Sequence, residues 1–232
     1  FILSGLASRK KDKAEKFGLQ YNTKSFVGYD SILNELELDA VYIPLPNSLH
    51  KQWIEKALEK NIHVFVEKSL SCDYEDVVSL NEMASKKKLV LLENFQFLFH
   101  KQLSVIKNVL EDGEIGELRS LRSSFGFPPL LKDNIRYNKA LGGGSLLDIG
   151  AYPIKIAQVF LGNDIQASSS SLMIDKKSGV DIWGGAFLKK INSPLFAEIA
   201  FGFDNHYLCN LELWGSKGIL YTNRIFTAPP DH

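Results

Sequence analysis

The chain has 232 residues, of which 45% are hydrophobic and 23% charged, a composition typical of globular proteins and long enough for one large domain or two modest ones. Basic and acidic residues balance at 27 each, so the charge indicates neither a nucleic-acid partner nor a membrane-surface partner. The two cysteines, Cys72 and Cys209, stand far apart outside any metal-ligand spacing, and no apolar run approaches the ~20 residues of a membrane-spanning helix. We therefore expect a reduced, cytoplasmic protein without a metal, in which both thiols are small core residues.

Apolar strands alternate with amphipathic helices through about residue 95. The pattern predicts strands at FILSGLA, AVYIPL, HVFV and LVLLEN, and helices at KKDKAEKFG, DSILNELE, KQWIEKALEK and DYEDVVSLNEMASKKK. Asp30 and Asp73 are the candidate N-caps of the second and fourth helices. Strands and helices at this spacing are joined by right-handed crossovers, which predicts an α/β fold with a parallel, doubly wound sheet covered on both faces.

After a helix at 102–112 the pattern changes to longer strands with few helices between them. The strand ELRSLRSSFGF and a Gly-rich turn lead into the apolar helix SLLDIGAYPIKIAQVFLG, and later runs suit antiparallel strands: IQASSSSLMI, DIWGGAFLKK, LFAEIAFGF, YLCNLELWG and GILYTN. This predicts an α+β domain with an open, mostly antiparallel sheet, so we divide the chain into domains at 1–95 and 96–232. The serine run at 168–171 is either a linker or, as its alternating context favours, a strand with one wet face.

Polar residues follow every predicted parallel strand at its carboxyl end. In doubly wound sheets the loops at this edge open a crevice where ligands bind, so we expect the functional site here. The exits carry Ser8, Arg9 and Lys10; Pro46, Asn47 and His50; Glu67 and Lys68; and Glu93 and Asn94. Structural roles remain alternatives: surface charge for Arg9, Lys10 and Lys68, helix capping for His50, and a satisfied carboxylate for Glu93.

Three motifs resemble the Gfo/Idh/MocA superfamily, which includes glucose–fructose oxidoreductase, inositol dehydrogenase and rhizopine-catabolism proteins. The segment DAVYIPLPNSLHKQWIEKALEKNIHVFVEKSLS resembles its core, an apolar strand, Pro-Asn and His, a helix, and a strand ending in Glu-Lys-Pro. ENFQFLFHKQLSVIKNVLEDGEIGELRSL is similar to the next family block, and NIRYNKALGGGSLLDIGAYPIKIAQVFLG to the substrate-domain signature. Tyr152 together with NIR resembles the branch of NADP-linked dihydrodiol and xylose dehydrogenases and nucleotide-sugar 3-ketoreductases.

The resemblance implies a nicotinamide-binding Rossmann domain followed by a substrate domain whose open sheet is commonly buried in a homo-oligomer. It implies that Lys68 lies beside the nicotinamide and the substrate, and that Asp148 and Tyr152 stand at the family's Asp and His/Tyr positions. The basic strand exit at Arg9 and Lys10 favours NADP over NAD through its 2′-phosphate, although NAD is possible. The expected cofactor contacts are Ser8, Arg9, Lys10, Pro44, Leu45, Pro46, Asn47, His50, Glu67 and Lys68.

Three departures from the family pattern affect these expectations. Ser69 stands where the family has Pro, so the loop after Lys68 is expected to be less rigid and a cis turn there is in doubt. Leu98 occupies a place where relatives often have Arg. The first strand and its Gly-x-Gly-x-x-Gly turn, the main phosphate grip, do not precede Phe1, so we expect the sequence to be part of a longer polypeptide, incomplete also at its C-terminal end.

The predicted reaction is reversible hydride transfer between the cofactor and a carbonyl or hydroxyl carbon of a sugar or nucleotide-linked ketosugar. Tyr152 follows Asp148 by one helical turn, so both side chains should share a face. A phenol of pKa ~10 needs a nearby cation to act at neutral pH. We therefore expect Tyr152 as general acid/base, Lys68 as electrostatic partner, Asp148 orienting the lysine or a substrate hydroxyl, and the glycines at 142–144 permitting close backbone approach.

Two other functions, and a packing role for Tyr152, are open alternatives. The protein could be a non-catalytic nicotinamide-binding sensor or assembly partner, which Ser69, Leu98 and the missing phosphate turn would favour. It could also catalyse hydrolysis or elimination with a tightly held cofactor.

Overall fold

The computed structural model describes residues 1–229, which divide into two compact units. The first unit comprises Phe1–Leu45, Leu49–Glu67 and Asp73–Glu93. The second comprises Pro46–Ser48, Lys68–Cys72 and the chain from Asn94 onward, so Lys68 belongs to the second unit. Among residues 1–229, no helix is long and apolar enough to span a bilayer.

The first half of the chain alternates short strands and helices. The strands are β1 (Gly5–Ser8), β2 (Lys24–Val27), β3 (Ala40–Ile43), β4 (His63–Glu67) and β5 (Leu91–Asn94), and the helices are α1 (Lys11–Gln20), α2 (Tyr29–Glu35), α3 (Asn47–Glu59) and α4 (Tyr74–Lys87). β1 pairs with β2 in parallel, and β3 pairs with β4 in parallel within a three-stranded sheet of order β3-β4-β5. The predicted α/β class is confirmed, but the strands form two separate sheets because no described strand lies between β1 and β3.

Two local features of the first half differ from the sequence-based expectation. β2 was not predicted, since KSFV is largely exposed and lacks the apolar run of its neighbours. Asp30 does not cap α2, because the helix begins at Tyr29 after Gly28, whose φ of 86° is favourable for glycine. The carboxylate of Asp30 instead accepts a hydrogen bond from Lys56 Nζ at 2.5 Å. Asp73 does cap α4, accepting the N–H of Glu75 at 2.8 Å.

Buried and half-buried side chains alternate along β4, the strand that precedes the candidate site. Val64 and Val66 are buried, and α3 contributes Ile54 and Leu58 to the buried core. Since successive side chains of a strand point to opposite faces, Glu67 lies on the same face of β4 as Phe65. Glu67 is therefore the last residue of a strand whose other face is buried in the core of its unit.

The second half is built on a six-stranded mixed sheet, which confirms the predicted open and mostly antiparallel architecture. Its elements are α5 (Lys101–Glu111), β6 (Leu118–Gly126), α6 (Ala151–Leu161), β7 (Ile165–Ile174), β8 (Asp181–Lys190), β9 (Phe196–Gly202), β10 (Leu208–Gly215) and β11 (Ile219–Thr222). The strand order is β11-β10-β6-β9-β8-β7, with β6 and β9 parallel and the other pairs antiparallel.

One apolar core lies between α6 and the sheet. Ile156 and Leu161 of α6 are buried with Leu121, Leu211 and Leu213 of the strands. β7 is exposed along nearly its whole length, so the serine run at 168–171 is a solvated strand rather than a linker.

The two cysteines have different environments. Cys209 is buried in β10, as expected, but the prediction of a core position for Cys72 is wrong. Cys72 is exposed because it lies in the loop that joins β4 to α4 rather than in an apolar element.

Candidate active site

Lys68 and Asp148 form a nearly buried ion pair in the second unit. Lys68 directly follows β4, and its ammonium donates to Asp148 Oδ1 at 2.5 Å and to the Asp148 carbonyl at 2.7 Å. The two side chains are 12% and 13% exposed, so solvent screens this pair far less than a surface pair. The sequence placed both residues among the site candidates, and the structure brings them into direct contact.

Arg136 binds the second oxygen of the same carboxylate and was not among the predicted site residues. Its Nε donates to Asp148 Oδ2, so each carboxylate oxygen faces one cation. Arg136 lies in a 3₁₀ turn at Ile135–Tyr137, which Asn134 starts by accepting the N–H of Arg136 at 3.1 Å. The segment NIR was noticed only as a resemblance, and no local signal in it indicates a partner twelve residues away.

The turn that carries Asp148 is a π-helix at Leu146–Gly150, not the regular α-helix that the sequence predicted. Single π turns inside helices are frequent at functional sites. Pro153 lacks an N–H, so the carbonyls four and five residues before it receive no bond from it. One of these is the Asp148 carbonyl, which accepts the ammonium of Lys68. The proline thus leaves a main-chain acceptor available at the position where the lysine binds.

Ser69 binds the same π turn through its own side chain. The hydroxyl donates to the Leu147 carbonyl at 2.8 Å, and the Lys68–Ser69 peptide bond is cis. The cis turn that the sequence left in doubt is therefore present, and Ser69, which stands where the family has Pro, is buried and hydrogen-bonded. Consecutive residues of the loop bind consecutive carbonyls of the turn.

Tyr152 lies in an aromatic cluster with the Lys68 ammonium above its ring. The distance from Lys68 Nζ to the ring centroid is 5.4 Å, within the range of a cation–π contact. Tyr152 is half-buried in the first turn of α6. Rings surround it at centroid distances of 5.7, 5.9, 5.3 and 5.4 Å, from Phe95, Phe97, Phe125 and Phe226 respectively.

The Gly-rich turn before the π-helix passes close to other backbone and side-chain atoms. A Cβ at Gly143 would lie 2.5 Å from the Arg136 carbonyl oxygen, and one at Gly144, where φ is 125°, would lie 2.3 Å from Asp181 Oδ1. Asp181 accepts from Ser145 Oγ at 2.7 Å and from the Leu146 N–H at 2.5 Å. Glycine is therefore required for close packing that fixes the start of the helix, as the sequence indicated.

The strand exit after β1 is solvent-exposed at Arg9 and Lys10, and the exit after β3 is exposed or partly buried up to the buried His50. Arg9 and Lys10 are exposed, and Ser8 Oγ accepts the N–H of Lys10 at 3.3 Å. His50 is fully buried in the first turn of α3, with its Nε2 2.7 Å from the Leu45 carbonyl. His50 therefore ties the segment Pro44–Pro46 to α3, and it is not the residue before the helix, since α3 begins at Asn47.

Glu67 has a partner that sequence reasoning missed. Tyr42 of β3 donates its hydroxyl to Glu67 Oε1 at 2.5 Å. Burial, followed by the hydrogen bond and the charge of Glu67, raises the pKa of Tyr42 to about 12. Tyr42 and Glu67 come together because β3 and β4 pair in parallel, a register that the sequence of either strand alone does not specify.

The first unit is a parallel doubly wound fold, and the second is an open-sheet unit that gathers a lysine, a carboxylate and a phenol. These features define a Rossmann-type oxidoreductase. Comparison with family models identifies the oxidoreductase family. Residues 2–95 match the GFO_IDH_MocA oxidoreductase family with its NAD-binding Rossmann fold, and residues 104–221 match the GFO/IDH/MocA C-terminal domain. The chain belongs to the GFO/IDH/MocA family, which confirms the resemblance and the oxidoreductase class inferred from the sequence.

The similar proteins include sugar reductases and sugar dehydrogenases. A dTDP-3,4-didehydro-2,6-dideoxy-alpha-D-glucose 3-reductase from Saccharopolyspora spinosa is 41% identical over 226 residues, which span 97% of this chain and 68% of the relative. An NADP(+) D-xylose 1-dehydrogenase from Haloferax volcanii is 29% identical over 98% of this chain and 70% of its own. The crystal structure of KijD10, a 3-ketoreductase from Actinomadura kijaniata in complex with NADP and TDP-benzene, superposes with a TM-score of 0.94 at 39% identity, over 97% of this chain and 69% of that one.

Proposed function

We propose that this protein is an NADP-dependent oxidoreductase of a nucleotide-linked 3-ketosugar, with Tyr152 as general acid/base and Lys68 as its electrostatic partner. The observation that carries the proposal is the Lys68–Asp148 ion pair, whose ammonium lies 5.4 Å from the Tyr152 ring centroid. A phenol can act as the general acid for a carbonyl oxygen, and a nearby cation held by a carboxylate can stabilise the phenolate that forms.

The relatives support both the substrate class and the two residues. The Saccharopolyspora relative acts on a dTDP-linked sugar, and KijD10 binds NADP together with a TDP derivative. KijD10 has also been crystallised with one tyrosine changed to phenylalanine and, separately, with one lysine changed to glutamate or alanine. That lysine and that tyrosine are separated by the same number of positions as Lys68 and Tyr152.

The donor set at the end of β1 fits an NADP phosphate. Arg9 and Lys10 are exposed cations at the carboxyl end of a parallel strand, where ligands of doubly wound sheets bind. Arg binds phosphate through charge-assisted hydrogen bonds, often two at once. We assign the 2′-phosphate to Arg9 and Lys10, and the remaining cofactor contacts to Ser8, the loop Pro44–Asn47 and Glu67. The expected direct contact of His50 is replaced by a supporting role, since its buried ring holds that loop through the Leu45 carbonyl. When bound, the nicotinamide supplies or accepts the hydride.

The chain's own residues manage the proton. In the reducing direction the Tyr152 hydroxyl gives its proton to the carbonyl oxygen of the sugar as that oxygen gains charge, leaving a phenolate. A unit positive charge at 5.4 Å, the distance from Lys68 Nζ to the ring centroid, attracts a phenolate charge delocalised over the ring by ~3 kcal/mol with an effective dielectric constant of ~20. This corresponds to a decrease of about two units in the pKa of a phenol. In the oxidising direction the phenolate takes the proton back from the hydroxyl.

Replacement of Tyr152 by phenylalanine tests the assignment. We expect Tyr152→Phe to lower kcat for a dTDP-linked 3-ketosugar by at least about 10²-fold, the usual contribution of a general acid, with unchanged NADPH affinity by fluorescence titration. Tyr221→Phe, at an exposed position of β11, is the matched control and should keep full activity. Full turnover in Tyr152→Phe would refute the role of this phenol. Absence of turnover in the parent, despite NADPH binding, would favour the non-catalytic alternative.

The proposed function also assigns a role to each domain of the chain. We assign residues 1–95 to dinucleotide binding and 96–232 to substrate binding and homo-oligomerisation. Exposed apolar side chains on the six-stranded sheet, among them Ile174, Trp183 and Trp214, support an interface between copies of the chain there. Light scattering that gives the mass of a single chain at all concentrations would contradict this assembly.

A further inference from the structure

We infer that Arg136 is a positioning residue of the reaction, because it supplies the second positive charge without which Asp148 would cancel the charge of Lys68. The inference rests on the roles proposed for Tyr152 and Lys68, and it assigns a distinct task to a residue outside that set.

The geometry places the carboxylate of Asp148 between two cations. Oδ1 accepts from Lys68 Nζ at 2.5 Å, and Oδ2 accepts from Arg136 Nε. The carboxylate and the ammonium are nearly buried, and the Arg136 side chain is 39% exposed. Two of the three charges therefore interact in a weakly screened environment, and the third reaches into it from the surface.

The balance of charge decides what the cluster does to a phenolate. Lys68 and Asp148 alone form a neutral pair. The attraction that the ammonium exerts on a nearby phenolate is then partly cancelled by the repulsion from the carboxylate, and the net effect falls off steeply with distance. With Arg136 the three groups carry a net charge of +1. The attraction between Lys68 and a Tyr152 phenolate is thus largely opposed by Asp148 unless the guanidinium balances that carboxylate.

Aromatic side chains form much of the surroundings of the phenol ring. Around the ring lie the uncharged side chains of Phe95, Phe97, Phe125 and Phe226. On α6 itself, Lys155 is directed at Phe95, with its Nζ 5.7 Å from the centroid of that ring. The charged groups near Tyr152 include Lys68, with Asp148 and Arg136 behind it, and Lys155.

Arg136 also fixes which oxygen of Asp148 faces Lys68. Its main-chain carbonyl accepts the N–H of Gly144 at 3.0 Å, so its backbone is tied to the Gly-rich turn that precedes Asp148. With Oδ2 held by the guanidinium, the carboxylate presents Oδ1 to the lysine. The ammonium is then shared between Oδ1 and the Asp148 carbonyl rather than chelated by both carboxylate oxygens.

The test is a titration of Tyr152 that needs no substrate. The ultraviolet absorbance of tyrosinate is followed with pH, and subtraction of the curve for the same protein carrying Tyr152→Phe isolates Tyr152 from the other tyrosines. Arg136→Gln removes the charge but retains an N–H that can donate to Asp148, and Arg136→Met is a second neutral variant. Arg136→Lys retains the charge. Arg119→Gln, at an exposed arginine paired with Glu117, is the control.

We expect the Tyr152 midpoint to rise by about one pH unit in Arg136→Gln and Arg136→Met, as loss of a neighbouring opposite charge predicts. Arg136→Lys should restore the midpoint to within about 0.3 pH unit of the parent, and Arg119→Gln should leave it unchanged. A midpoint unmoved in both neutral variants, or raised equally in Arg136→Lys, overturns the inference. Either result leaves the proposed function intact, because that function is tested by turnover of Tyr152→Phe.

Discussion

Replacement of Lys68 by methionine removes the ammonium from the site while keeping most of the apolar stem. The ammonium makes hydrogen bonds to Asp148 at 2.5 and 2.7 Å and lies 5.4 Å from the Tyr152 ring centroid. With an effective dielectric constant of ~20, the ammonium attracts a phenolate by ~3 kcal/mol. Loss of this attraction corresponds to a decrease of about 10²-fold in rate. Arg136 then merely balances Asp148, so the cluster of residues 68, 136 and 148 falls to zero net charge. We expect kcat/KM to fall by about 10²-fold, mainly through kcat.

Reduction of a dTDP-linked 3-ketosugar, followed by NADPH consumption at saturating cofactor, measures this effect. Lys86→Met is the control, since Lys86 is exposed on α4 and pairs only at 4.0 Å with the exposed Glu82. Lys68→Arg should retain part of the activity, because it keeps the charge but not the compact ammonium that two acceptors share. If Lys68→Met keeps kcat/KM within about threefold of the parent while Tyr152→Phe is inactive, the phenol works without its cation and the electrostatic reasoning is wrong.

Three further predictions concern the cofactor, alkaline stability and the π turn. Arg9→Ala should weaken NADP binding by about tenfold, through loss of a charge-assisted hydrogen bond, and leave NAD binding nearly unchanged; an equal loss for both cofactors in fluorescence titrations would contradict the 2′-phosphate assignment. Because its pKa is raised to about 12, Tyr42 stabilises the fold fully below pH 10.0 and loses that contribution as pH rises toward 12. Tyr42→Phe should therefore lower the free energy of unfolding by ~1 kcal/mol at neutral pH and flatten its decline above pH 10.0, whereas parallel denaturation curves for both proteins would contradict this. Pro153→Ala adds an N–H that π geometry directs at the Asp148 carbonyl, five residues before it, in competition with the Lys68 ammonium, so we expect kcat/KM to fall about tenfold with an unchanged or higher Tm; unchanged kcat/KM would show that the π turn does not hold Lys68.

The sequence predicted what depends on periodicity and on the family pattern. Alternation of strands and helices gave the parallel architecture, and the strand exit at Lys68 and the helix carrying Asp148 and Tyr152 stood out as candidates. These signals are local, since each lies within one element and follows from the helical or strand repeat. The serine run at 168–171 was likewise readable as a strand because its flanks alternate.

Features that depend on contacts between distant segments could not be predicted from single elements. Arg136 joins the site through a side chain that crosses from one loop to another, and Tyr42 meets Glu67 only through the register of two strands. The π turn precedes Pro153 and accepts side-chain donors from the distant residues Lys68 and Ser69, and periodicity within an apolar helix does not distinguish 3.6 residues per turn from a single wider turn.

Ser69 weighs against the non-catalytic alternative instead of supporting it. Its hydroxyl binds the Leu147 carbonyl while Lys68 binds the Asp148 carbonyl, so main chain and ammonium are held by adjacent acceptors of one turn. Nearly buried ions cost several kcal/mol each to desolvate, and apolar side chains of similar volume would stabilise a purely structural core at least as well. A charged cluster that the backbone is shaped to hold beside a phenol is therefore better explained by its effect on proton transfer than by stability, and such clusters concentrate at catalytic sites. The surroundings of Asp148 fit the same argument, since the glycines allow the preceding turn to pack closely, Ser69 binds the Leu147 carbonyl, and Pro153 donates no N–H to the Asp148 carbonyl.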